Sequence, residues 1–159
     1  MTGSRVSKIF GAIAVTATLA PCGEENLLGP DPGDVIFNAS LGIDLSSMTE
    51  KPSGLFFEDL EVGTGDLAAS GDAVTVFFSV WLADGDLIDR RTDTFVLGSN
   101  DLLLGVEEGL TGMQVGGIRM LVVPSSLGYG EGGSGDTVIP ANAVLVFRLE
   151  VTEIVKPGA

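Results

Sequence analysis

The chain has 159 residues, enough for one domain of ordinary size and a modest appendage. Apolar residues make up 45% and charged residues 19%, which supports a packed core, while a net charge of −14 repels phosphate backbones and excludes nucleic acid as a partner. With no His and a single Cys, the composition also excludes a His-activated nucleophile, a His or Cys metal cluster and an intramolecular disulfide.

The first 22 residues form a segment of their own. Arg5 and Lys8 precede an uncharged, mostly apolar run from Ile9 to Ala20. Twelve residues at 1.5 Å each fall short of a ~30 Å hydrocarbon core, so the run suits a secretory signal rather than a membrane span. It ends at Leu19-Ala20-Pro21-Cys22, which resembles the lipobox of bacterial lipoprotein signals. There the Cys is acylated and becomes the new amino terminus. Pro21 departs from the small residue usual before that Cys, and the alternatives are an ordinary cleaved signal and an uncleaved anchor. Cys22 is the expected lipid attachment point, and the membrane would be reached through that lipid alone. Such a protein is exported and held at the cell envelope. Cleavage would leave 6 basic and 22 acidic side chains, a net charge of −16.

Residues 23–52 read as a flexible tether, broken by Gly29-Pro30-Asp31-Pro32-Gly33. Asn38-Ala39-Ser40 matches a glycosylation sequon, which is irrelevant in a bacterial host. Leu41 to Met48 has the look of a turn of helix.

A domain is expected over 53–156. Leu55 to Val62 reads as a strand stopped by Gly63-Thr64-Gly65. Ala73 to Leu82, rich in β-branched and aromatic residues, reads as a largely buried strand. Asp84-Gly85 is a turn signal, followed by short extended pieces at Leu87-Ile88-Asp89 and Thr94 to Gly98. Val106, Leu110 and Met113 fall on one face of a short helix, with Glu107 and Glu108 in its first turn, where the helix dipole favours anions. Gly116-Gly117 leads into a strand at Ile118–Val123. A Gly-rich loop covers 125–136, and a long final strand runs from Ala143 to Val155. About five strands and one short helix describe an α+β protein, an antiparallel sheet covered on one face.

Two motif matches fail on context. Gly128 to Gly133 fits G-x-G-x-x-G, but no helix pattern follows to receive a pyrophosphate. Asp84, Asp86 and Asp89 lack calcium-loop spacing and its closing Glu. No metal and no cofactor is expected.

Six short segments in order carry a more specific signal. They are Leu82-Ala83-Asp84-Gly85 with Ile88-Asp89, Phe95 to Gly98, Gly105 to Met113, Gly116 to Pro124, Leu127 to Gly130, and Ile139 to Phe147. Together they make residues 53–155 resemble the FKBP-type peptidyl-prolyl cis-trans isomerases. The resemblance implies a twisted antiparallel sheet wrapped around one short helix, a monomeric domain, and proline-containing polypeptide segments as the partner. Rotation about a prolyl amide faces a barrier of ~18–20 kcal/mol, and it needs no side chain to move a proton. A dry pocket that favours the twisted, less charged amide is enough. A chain without His is compatible with that chemistry.

By motif position, the resemblance implies a pocket lined by Phe78, Ile88, Leu102, Leu103, Val106, Ile139 and Phe147, with Asp89 and Tyr129 as the catalytic pair. The Tyr129 hydroxyl and the Leu103 backbone N–H would meet substrate carbonyls, and Asp89 would lie beside the reacting amide. Four departures from the family pattern stand out. Val106 replaces the usual floor Trp, Phe78 replaces a Tyr that would bond the Asp, and Ile88 replaces a Phe. The segment 90–94 is short and lacks a rim aromatic. Arg90 or Arg91 is then a candidate partner for Asp89. Trp81 is expected to pack outside the pocket. The implied function is a prolyl isomerase that assists folding of exported proteins. The alternative is an FKBP-fold binding module or chaperone without useful turnover.

Overall fold

The β-branched run at 73–82 forms the strand at the heart of the molecule. A computed structural model describes residues 29–136 and 138–158 of the chain, and Cys22 and the signal segment lie outside them. Six strands occur in chain order: β1 (Thr49–Glu50), β2 (Phe56–Glu61), β3 (Ala73–Leu82), β4 (Leu87–Val96), β5 (Ile118–Val123) and β6 (Leu145–Val155). One helix, α1 (Leu104–Leu110), lies between β4 and β5. The strands form a single sheet in the order β1-β2-β5-β6-β3-β4, and every neighbouring pair is antiparallel.

Alternation divides the sheet into two apolar faces. Val74, Val76, Phe78 and Val80 of β3, Leu121 and Val123 of β5, and Phe147 and Leu149 of β6 gather on one face with Val106 and Leu110 of α1. Gly105 and Gly109 turn toward β5. A Cβ at either position would overlap Val123 Cγ1 or Leu121 Cδ1, so two glycines one turn apart let the short helix lie close on the sheet. Arg119 of β5 fastens this packing. Its guanidinium grips Asp59 of β2 at 2.6 and 2.9 Å, donates at 2.8 Å to the Gly109 carbonyl, and lies 4.7 Å from the Phe57 ring centroid.

The other face holds Trp81, Met120, Val122, Val144 and Val146, and the segment read as a tether covers it. Over 29–52 that expectation is corrected. Val35, Phe37, Leu41, Ile43 and Leu45 point inward while Ile36, Gly42 and Asp44 point out, and Met48 is buried. Single 3-10 turns at Pro32–Asp34 and Ala39–Leu41 replace the expected turn of helix at 41–48. Asn38 joins this strap to the β3–β4 turn: its N–H donates to the Ala83 carbonyl and its side-chain amide to the Asp84 carbonyl, each at 2.7 Å. The breaker cluster hid this arrangement, because alternation across a Pro/Gly-rich segment needs a sheet beneath it to acquire meaning.

Three further differences come from tertiary pairing. The short β1 follows the strap and adds a sixth strand at the sheet edge. The pieces at 87–89 and 94–98 are one continuous β4, whose polar middle is exposed because it forms the opposite edge. The helix begins at Leu104 rather than Val106, so Glu107 is in the first turn, while Glu108 lies beyond it, 3.6 Å from Lys51.

Candidate functional site

A cavity of about 280 Å³ opens between β3, β4, α1, β6 and the Gly-rich loop. Its lining contains all nine residues the sequence singled out for the pocket. β3 contributes Phe78, and the edge strand contributes Ile88 and Asp89. The loop ahead of α1 supplies Leu102 and Leu103, and α1 itself supplies Val106. Tyr129 comes from the Gly-rich loop, Ile139 from the segment just after it, and Phe147 from β6. The walls are dry: Phe78, Val106, Ile139 and Phe147 are all less than a tenth exposed. Val106, at the helix start, is a small aliphatic where a large aromatic would fill the base.

Register explains how distant residues meet. Phe147 lies opposite Val80 and Leu149 opposite Phe78, while on the other side of β3, Asp89 lies opposite Val80 and Arg91 opposite Phe78. One alternating set of side chains thus lines the cavity across three strands. Val76, Val80, Leu110 and Leu149 also belong to that lining, and the motif order does not point to them. The period-two pattern of β3 was the signal that could have identified the first two.

The polar groups sit at the mouth. Asp89 Oδ2 is 2.9 Å from Arg91 Nη1, and its Oδ1 accepts the Arg90 N–H at 2.7 Å. Of the two candidate arginines, strand alternation selects Arg91. Its guanidinium also lies 5.3 Å from the Phe78 ring centroid, a cation–π contact. Arg90 points the other way, 5.5 Å from the Phe77 centroid. Asp101, which drew no attention in the sequence, lines the cavity and accepts from Ser99 Oγ at 2.7 Å. Phe95 completes the wall 6.2 Å from Phe78, centroid to centroid.

Two groups offer hydrogen bonds to an occupant. Tyr129 is 42% exposed, and no described residue bonds its hydroxyl. Leu103 caps α1 through its carbonyl, which accepts from Val106 and Glu107, and its own N–H is donated to no described residue.

The loop that carries Ile139 is held by its own acid. Asp136 accepts from Ser134 Oγ and from the Val138 N–H, and these bonds, the Ser134 hydroxyl first, hold its carboxyl below the usual range. Ser134 Oγ in turn accepts the Ile139 N–H at 2.9 Å. Gly133, at φ +63°, leaves no room for a side chain against the Ile139 carbonyl.

A second hollow, about 410 Å³, lies on the opposite face between the strap and the sheet beside Trp81. It collects none of the nine residues, and it places Trp81 outside the first cavity.

Comparison with known proteins agrees with this geometry. Residues 65–152 match the family model described as FKBP-type peptidyl-prolyl cis-trans isomerase. An FK506-binding protein of Neisseria meningitidis serogroup B is 40% identical over 106 residues, covering 64% of this chain and 96% of that protein. FK506-binding protein 4 of Dictyostelium discoideum is 39% identical over 109 residues, 67% of this chain and 30% of its own length. Among solved structures, AtFKBP13 superposes with a TM-score of 0.64 at 29% identity, over 69% of this chain and 99% of its own. FkpA from Escherichia coli gives 0.64 at 31% identity, over 70% and 53%. A sheet in this order, a single helix packed on it and a cavity between them accompany a family match over more than half the sequence: the chain belongs to the FKBP-type peptidyl-prolyl cis-trans isomerase family.

Proposed function

We propose that the protein is an active peptidyl-prolyl cis-trans isomerase which takes extended X-Pro segments of exported polypeptides into the cavity beneath Asp89 and Tyr129. The observation that carries this reading is the convergence of nine residues from separate parts of the chain on one apolar cavity, with one hydroxyl and one Arg-held carboxylate at its mouth. The prolyl ring enters between Phe78, Ile139 and Phe147, above Val106. Substrate carbonyls accept from the Leu103 N–H and the Tyr129 hydroxyl, which fixes the flanking peptide. Excluding water removes solvent bonds that favour the planar, more polar amide, and the twisted amide is bound better than either planar form. Asp89, oriented by its ion pair with Arg91, lies beside the rotating bond and opposes the charge distribution of the planar state. No proton transfer is required.

A protease-coupled assay on X-Pro peptides tests the reading, together with refolding of a protein limited by proline isomerisation. Wild type should accelerate both, and Phe147→Ala and Tyr129→Phe should lower kcat/KM, the former by more than tenfold. No acceleration over buffer at micromolar protein would defeat it. A second reading, a peptide-binding module without turnover, is favoured by Val106 at the base, which leaves a proline ring poorly supported. If wild type binds peptide without turnover and Val106→Trp gains activity, that second reading stands.

We also propose that the domain is displayed at the cell envelope through a lipid on Cys22. Support comes from the position of the chain's one cysteine at the end of the apolar run. Labelling with a palmitate analogue should disappear in Cys22→Ser, and persistent labelling would remove the anchor.

A further inference from the structure

We infer that the cavity selects proline segments flanked by basic residues, and that Asp101 is a specificity-determining residue for that choice. The inference rests on the cavity being the peptide site, as proposed above. Three ionised side chains line the cavity: Asp89, Arg91 and Asp101. Arg91, the one cation among them, is already engaged. It holds Asp89 at 2.9 Å, and its Nε lies 3.5 Å from Asp93 on the same edge strand. An anionic substrate residue would have to displace one of these carboxylates to reach it. Asp101 is exposed, is bonded only by the neutral Ser99 hydroxyl, and has no cation within ion-pair distance among the described residues. At the lip two carboxylates, Asp89 and Asp101, therefore face one guanidinium, which Asp93, outside the lining, also engages.

The rest of the surface reinforces the sign. Six basic residues occur among the described residues. Lys51, Arg91, Arg119, Arg148 and Lys156 are in ion pairs, and Arg90 lies over Phe77 on the far side of the edge strand. The chain's net charge is −14, no free cationic patch among the described residues compensates the lip, and a low-dielectric cavity with acidic edges focuses a negative potential outward. A Lys or Arg beside the proline lays its aliphatic stem on Leu102 and brings its charge to Asp101. A Glu in that place meets repulsion.

The test uses the full chain and three fluorescent peptides of the form Gly-X-X-Pro-X-X-Gly with X as Lys, Gln or Glu. Binding is read by anisotropy, and turnover of the same peptides by exchange NMR, so affinity and catalysis are scored separately. Exposed pairs each contribute a factor of roughly 1.5 to 5. Attraction for Lys and repulsion for Glu should then separate their Kd values about tenfold at low salt. At 1 M salt, where the screening length is ~3 Å, the ratio should fall to about twofold. Asp101→Asn should cut the low-salt ratio about threefold. Glu58→Gln removes the same charge from the opposite face, where Glu58 lines the hollow beside Trp81, and should leave the ratio nearly unchanged. Preferential, salt-sensitive binding without turnover would support the selectivity and defeat the isomerase reading. Equal binding of the Lys and Glu peptides, measurable but equal turnover of the two, a Glu preference, no binding of any peptide, or equal effects of Asp101→Asn and Glu58→Gln would overturn the selectivity.

Discussion

Arg119 offers the clearest link between the sheet and the helix that floors the cavity. Arg119→Ala removes a two-pronged bond to Asp59, a bond to the Gly109 carbonyl and the stacking on Phe57. Removing one partner of a buried pair costs about 3–5 kcal/mol. The Arg119 side chain is 10% exposed but Asp59 is 34% exposed, so the orphaned carboxylate recovers part of its hydration. The Gly109 carbonyl, left without its donor, adds a penalty of ~1–3 kcal/mol. A net loss of about 3–5 kcal/mol is expected, a large share of the ~5–15 kcal/mol typical of a domain. Urea denaturation reads it as a midpoint lowered by about 1.5–3.5 M for a slope of ~1.5–2 kcal/mol/M. Arg119→Lys keeps the charge but loses the fork, and should cost about half as much. A double-mutant cycle with Asp59→Ala should return a coupling of about 1–2 kcal/mol. A loss below about 0.5 kcal/mol for Arg119→Ala, or a coupling indistinguishable from zero, would refute the view that this cation clamps α1 to the sheet.

Other perturbations address the strap, the loop and the carboxy-terminal end. Phe37→Ala, which removes a half-buried ring of the strap, should cost about 1.5–2.5 kcal/mol in thermal or chemical denaturation and leave peptide affinity within about twofold, because the strap covers the face opposite the cavity. Gly133→Ala places a side chain against the Ile139 carbonyl at a backbone conformation reserved for glycine. It should cost ~1–3 kcal/mol and raise KM by displacing Ile139 from the cavity wall. Asp72 is buried, and Lys156 Nζ approaches its Oδ2 at 2.6 Å; this bond foremost holds the carboxyl below its usual range. A depressed folded pKa stabilises the fold above the unfolded value of about 3.9, and that stabilisation disappears as pH falls from there through the lower folded value. Lys156→Met should therefore lower the melting temperature at pH 7 and flatten its decline on acidification, as followed by circular dichroism. An unchanged acid limb would show that this pair does not contribute to it.

Legibility differed from element to element. β3 and β5 were read at their observed limits, since Ala73–Leu82 and Ile118–Val123 are buried runs whose composition alone demands a sheet. The edge strand was read as two fragments, because Arg90 to Asp93 are polar and only pairing with β3 makes them extended. The strap was read as a tether, since Val35, Phe37, Ile43 and Leu45 alternate across turns and glycines that by themselves signal a free chain. The site fared better than its surroundings: the nine residues named from motif order share one cavity, and the motif spacing holds whether or not the intervening elements are drawn correctly. Asp101 and Phe95 were missed because neither the period nor a charge run marked them out.

The sequence by itself determined which chemistry was open to this protein. Without His, and with one Cys and a large excess of acids, His-activated nucleophiles, His or Cys metal clusters and nucleic-acid binding were closed, and the motif order, through its resemblance to the FKBP-type family, pointed to a dry cavity. Composition and motif order are sums over residues, and they survive any error in boundaries. Which arginine meets Asp89, which face the 29–48 segment covers, and which carboxylate is left without a cation were decided only in three dimensions. Each depends on strand register, and a shift of one residue sends a side chain to the other face of the sheet.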